Sequence, residues 1–161
     1  MRMCHTEAMK EIRELEERKA RLLDKERMES EVSYKEGEEK ILPDYSYEQT
    51  RRELDELDGK IRAIRTILAK SNCNTVLEDF GISIGEGLVM LAQMNNAFCQ
   101  LARLAEKQQI SRRITVGGVL EYSECVYDVK QATADLEALR KRISALQIAI
   151  DTANLTTMVE I

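Results

Sequence analysis

The residues of this chain equipped for chemistry are its carboxylates, four cysteines, one histidine and one pair of arginines. Glu14, Glu16, Glu17, Asp55, Glu56, Asp58, Asp135 and Glu137 crowd segments of helical character. Two facing carboxylates can move a proton or hold a divalent metal. A di-metal helical bundle also needs Glu-x-x-His motifs on facing helices, and His5 is the single histidine. These acids mostly fall off the apolar seams described below, which assigns them to a solvated face. No metal and no cofactor is expected.

Cys4, Cys73, Cys99 and Cys125 form no C-x-x-C pair. Zinc binding would require distant segments to converge, so reduced thiols in a cytoplasmic chain are the expectation. Cys99 lacks a base nearby in sequence, and its helical context suits a packed thiol. Ser33, Ser111 and Ser123 lie in no nucleophile elbow. Gly81 to Gly87 reads G-I-S-I-G-E-G ahead of a helix. It lacks the Lys-Ser/Thr of a phosphate loop, and Ser83 with Glu86 reads instead as a capping box. No catalytic residue is assigned, and the chain is expected not to be an enzyme.

Ser111-Arg112-Arg113 is the one compact basic point. The net charge of −5 leaves no basic face of the kind that displaces counterions from a duplex, so DNA is not an expected partner. Arg112, Arg113 and Tyr122 are expected to touch a protein partner or a neighbouring subunit. Tyr45 and Tyr127 each precede a helix cap and read as hydrophobic staples.

The elements that hold these residues are long amphipathic helices. Aromatic residues make up 4% of the chain, charged residues 33%, and Pro43 is the single proline. That balance suits helices better than a sandwich or an α/β enzyme. A first helix is predicted from about Thr6 to Ser30, with Ala8, Ile12, Leu15 and Leu22 on its seam. Lys19 interrupts that seam, its stem on the core and its ammonium toward water. The segment 31–44 breaks the period and reads as an extended arm with a turn at Gly37.

A second helix starts behind Ser46, with Gln49 completing a capping box. Thr50, Leu54, Leu57, Ile61, Ile64 and Leu68 alternate by four and three, the coiled-coil period. Asn72 is its expected stop. A third helix is predicted from about Ile84 to Lys107, where Leu88, Val89 and Met90 widen the apolar face and make it the most buried of the four. A hairpin follows in 108–128, turning at Gly117-Gly118. The last helix begins at Asp128, and its seam includes Leu136, Leu139, Ile143, Leu146 and Ile150. Asn154 ends it as Asn72 ends the second, and Leu155 to Ile161 reads as a short strand or tail.

Much of this is written twice. Tyr45 to Glu78 aligns on Tyr127 to Glu160 without a gap at an offset of 82, including Leu54 on Leu136, Ile61 on Ile143 and Asn72 on Asn154. A repeat of this kind marks one supersecondary unit used twice. The fold expected is a mainly α single domain over 1–161, an antiparallel helical bundle or coiled coil. It would consist of two pseudo-repeated helical hairpins, about 1–80 and 81–161, with short β arms between helices.

The stretches Pro43-Asp44-Tyr45, Ser71-Asn72-Cys73-Asn74-Thr75-Val76, Asp79-Phe80-Gly81-Ile82-Ser83-Ile84 and Leu88-Val89-Met90-Leu91-Ala92-Gln93 resemble a family of small bacterial helical proteins of unknown function. The resemblance resumes at Glu121-Tyr122, Tyr127-Asp128 and Asn154-Leu155-Thr156-Thr157. Some members are labelled septicolysin, which implies a membrane-active cytolysin. The resemblance implies a shared helical fold and supplies no catalytic residue.

Met1 to Lys10 is charged and without an apolar segment, so no signal peptide is expected. Leu88 to Ala92, the longest apolar stretch, is too short to span a bilayer. The sequence thus points to a cytoplasmic scaffold or assembly protein that forms a homo-oligomer. Its expected interface is Arg112, Arg113, Tyr122, Leu136, Leu139, Ile143, Leu146 and Ile150.

Overall fold

The computed structural model describes residues 2–161; Met1, the start of the charged segment read above, lies outside the described residues. The chain is mainly helical. Four helices, α1 (His5–Glu29), α2 (Tyr47–Asn74), α3 (Ile84–Ala105) and α4 (Val129–Thr156), carry it. Between and beside them run β1 (Arg2–Cys4), β2 (Val76–Leu77), β3 (Ile82–Ser83), β4 (Ile110–Ile114), β5 (Leu120–Glu124) and β6 (Met158–Glu160). The strands make three separate antiparallel pairs: β1 with β6, β2 with β3, and β4 with β5. No described helix is long and apolar enough to cross a membrane.

The chain divides into two compact units, one running to Asn74 and joined by Asn154–Ile161, the other Thr75–Ala153. This division differs from the sequence halves because β6 pairs with β1, Met3 standing opposite Val159 and Cys4 opposite Met158. The last residues therefore complete the first unit.

In the first unit the expected α2 seam is buried along its length: Leu54, Leu57, Ile61, Ile64 and Leu68 all lie in the core. Ile61, Ile64 and Leu68 pack with Met3, Ala8, Ile12 and Val159. Each fully buried aliphatic side chain contributes about 1.5–3 kcal/mol over an exposed one. Farther along, α1 is tied to α2 by charge. Lys19 Nζ reaches Asp58 at 2.6 Å instead of extending to water, and Glu16 pairs with Arg65. At the open end Glu26 accepts from Arg51 and, at 2.7 Å, from the Tyr45 hydroxyl. Tyr45 so fastens the foot of the arm to α1 through a polar contact, where a hydrophobic staple was expected.

The second unit packs Leu77, Ile84, Met94, Leu146 and Ile150 into one cluster. Gly87 sits where a Cβ would come within 2.8 Å of Leu77 Cδ1 and 3.6 Å of Ile150, so a small residue lets β2 close on α3. Helix α3 starts with a complete capping box. The Glu86 N–H donates to Ser83 Oγ at 3.2 Å, and the Ser83 N–H donates to Glu86 Oε2 at 2.8 Å. The Ser83 N–H, and then the Ser83 hydroxyl, which also donates to Glu86 Oε2 at 2.8 Å, hold the Glu86 carboxyl below its usual range. The expectation that α3 is the most buried helix is corrected. Ile84, Gly87 and Met94 are its buried residues, while Leu88 and Val89 face outward.

Two helix starts follow the predicted caps in part. The Gln49 N–H donates to Ser46 Oγ at 3.4 Å, and the Lys130 N–H donates to Asp128 Oδ1 at 2.8 Å. Gln49 and Gln131 do not close the boxes, because their amides bond forward to Glu53 and Asp135. Asn72 and Asn154 are not left-handed terminators either: no described non-glycine residue has a positive φ, and both helices run two residues past them.

Candidate interaction surface

Strands β4 and β5 form a hairpin with Ile110 opposite Glu124, Arg112 opposite Tyr122 and Ile114 opposite Leu120. Directly opposed residues share a face, so Ile110, Ile114, Leu120 and Tyr122 line one side together with Arg112 and Glu124. The other side carries Ser111, Ser123 and the ion pair of Arg113 with Glu121 at 2.6 Å. Every residue of both strands is exposed. On the apolar side Ile110 is 56%, Ile114 74%, Leu120 45% and Tyr122 63% accessible. The structure thus brings Arg112 and Tyr122 together and turns Arg113 to the opposite face.

The turn uses one glycine where two were expected. Gly118 has φ 74°, its N–H donates to the Thr115 carbonyl at 2.9 Å, and the Thr115 N–H donates to the Val119 carbonyl at 2.9 Å. This is the pattern of a turn closed by one left-handed residue. The base is held by Gln109, which the sequence did not single out. Its Nε2 donates to the carbonyls of Cys125 and Tyr127 at 2.9 and 3.0 Å, and its Oε1 accepts from the Val129 N–H at 3.0 Å. The Tyr127 hydroxyl donates to the Leu104 carbonyl at 2.9 Å. Burial, and then the Cys125 thiol, push that hydroxyl above its ordinary pKa.

The α4 seam residues separate into two groups. Leu146 and Ile150 are buried inside their own unit, which commits them to its core. Leu136, Leu139 and Ile143 stay half-buried. Beside them the Arg140 guanidinium lies 5.5 Å from the centre of the Phe98 ring.

A second constellation was hidden in the sequence. His5 is buried, 1% exposed, with Nε2 2.7 Å from Ser71 Oγ and Nδ1 3.3 Å from Asn154 Oδ1. An amide oxygen only accepts, so in the neutral ring Nδ1 carries the hydrogen and Nε2 accepts from Ser71. Serine, histidine and asparagine in line form a hydrolytic triad when an oxyanion hole stands beside the serine. Ser71 lies in the last turn of α2, where free backbone groups are carbonyls, not N–H donors. The arrangement ties the start of α1, the end of α2 and the end of α4 together. Among the described residues, no group of three His, Cys, Asp or Glu converges as a metal site would require.

No family model matches the chain, and no curated sequence does. Its fold is similar to the crystal structure of a functionally unknown conserved protein from Corynebacterium diphtheriae. That likeness has a TM-score of 0.71 and 17% identity, and covers 99% of this chain and 100% of the other.

Proposed function

We propose that this chain is a non-enzymatic cytoplasmic assembly protein that forms a homo-oligomer and offers its hairpin to a protein partner. The observation that carries this reading is surface area. The chain exposes 12272 Å². Two separate compact units, each of half its 18.5 kDa, would expose about 9,900 Å². Apolar residues contribute to this surface in every region, including Ile41 and Leu42 in the first arm and Ile114 and Tyr122 in the hairpin. An isolated two-stranded hairpin is marginal in water, so one with an apolar face gains most from a docked partner.

The two halves are read here as one duplicated coiled-coil hairpin. Helices α2 and α4 have 28 residues each, and both their first and last residues are related by the same offset of 82 as the sequence repeat. Native mass spectrometry of the purified chain at micromolar concentration is expected to give a multimer. Monomer alone would refute self-association.

A membrane-active reading follows from the septicolysin resemblance and is favoured by exposed Val116 and Val119 at the hairpin tip. Leakage from anionic vesicles on addition of the pure chain would select it over the assembly reading.

A further inference from the structure

The arm between α1 and α2 is a turn without a ladder behind it. The turn is closed: Gly37 has φ 87°, and the Glu38 N–H donates to the Lys35 carbonyl at 3.1 Å. Beyond it, residues 39–42 are exposed, and their backbone groups bond to nothing among the described residues. Strand β4 has an open edge, because it pairs with β5 and no third strand. The Cys125 N–H donates to the Gln109 carbonyl and the Thr115 N–H to the Val119 carbonyl, each at 2.9 Å. Bonding alternates along an antiparallel ladder, so the backbone groups of Ile110, Arg112 and Ile114 point to the free edge. A further strand can add there.

Charge selects the edge and the register. Residues 31–44 hold five acids and two lysines. Strand β4 holds Arg112 and Arg113 and no acid, whereas β5 carries Glu121 and Glu124. An acidic strand is drawn to the first edge and repelled from the second. In an antiparallel register with Glu39 opposite Arg112, Glu38 falls beside Arg113, Lys40 beside Ser111 and Ile41 beside Ile110. The parallel alternative sets Lys40 against Arg113, and like charges directly opposed destabilise a sheet. Glu39 and Arg112 make no ion pair among the described residues. Pro43, with no N–H to donate, would stand opposite Gln108, beyond the start of β4.

We infer that residues 38–42 of one copy add as a third strand to the β4 edge of a second copy. The inference rests on the assembly reading above and names the partner of the hairpin as this chain's own arm. Arm and edge are different surfaces, so each copy gives one arm and receives another.

The experiment measures mass by sedimentation and helix content by circular dichroism for the parent, Glu39→Lys and Arg112→Glu. Each variant should stay folded and need about tenfold more chain to associate. Mixed in equal amounts, the two should recover association, because the arm of each meets an edge of opposite charge on the other. Hydrogen exchange of the parent keeps the inference testable if a variant unfolds: amides in 39–42 and 110–114 should lose protection together on dilution. Variants that associate like the parent, or a mixture that stays monomeric, overturn this interface and leave self-association standing. So does a multimer whose exchange in these two segments stays constant as it dissociates. A parent that is monomeric at every concentration overturns both.

Discussion

Leu57 and Leu139 are each the eleventh residue of a 28-residue helix, α2 and α4. Leu57 is 4% exposed, whereas Leu139 is half-buried at the edge of its core cluster. The same residue type at the same place along its helix therefore has different surroundings. Leu57→Ala should lower unfolding stability by about 2–5 kcal/mol, the range for emptying a packed leucine site. Leu139→Ala should alter the folded monomer much less. Denaturant unfolding of both variants at low concentration checks this prediction. Equal losses of monomer stability would count against it.

His5 joins Ser71 and Asn154 inside the first unit. His5→Ala removes both bonds and leaves polar atoms facing a void, with an expected loss of about 2–3 kcal/mol. A structural tie predicts no esterase activity in the parent, and none should be lost with Ser71→Ala. Hydrolysis of an activated ester by the parent, abolished in Ser71→Ala, would overturn the structural assignment.

Glu26 is held below its ordinary pKa of 4.5 chiefly by the Tyr45 hydroxyl, with Arg51 adding to the effect and desolvation opposing it. A depressed carboxylate contributes stability above its unfolded pKa and loses it as pH falls through the folded value. Glu26→Gln should therefore melt below the parent near neutrality. The difference should shrink in acid below 4.5 and vanish beneath the folded pKa. A difference that widened toward acid would contradict the clasp.

Gln109 makes three bonds across the base of the hairpin. Gln109→Ala should raise hydrogen exchange in 110–124 several-fold while the four helices keep their protection. Uniform loss of protection throughout the chain would show that Gln109 supports more than the hairpin.

The helices were legible because their cores are local. Leu54 through Leu68 and Leu136 through Ile150 repeat at the coiled-coil spacing, and all four helices lie close to the predicted segments. What stayed hidden depends on distant pairing. His5 sits in a charged N-terminal segment, and its partners Ser71 and Asn154 are placed by the pairing of β1 with β6. No periodicity announces such a meeting. Gln109 was not singled out within the 108–128 hairpin, since its partners are backbone groups that leave no mark in the sequence. Helix α3 was overestimated because Leu88 and Val89 add hydrophobicity in sequence without any described neighbour that buries them. The Leu139 and Ile143 seam was readable as apolar, but its half-covered state required the structure.

Self-association is the claim on which the remaining functional account depends. Sedimentation velocity of the untagged chain over the micromolar range tests it most directly. The account predicts a species of at least twice 18.5 kDa, dissociating on dilution. A single species of 18.5 kDa at every concentration would contradict it.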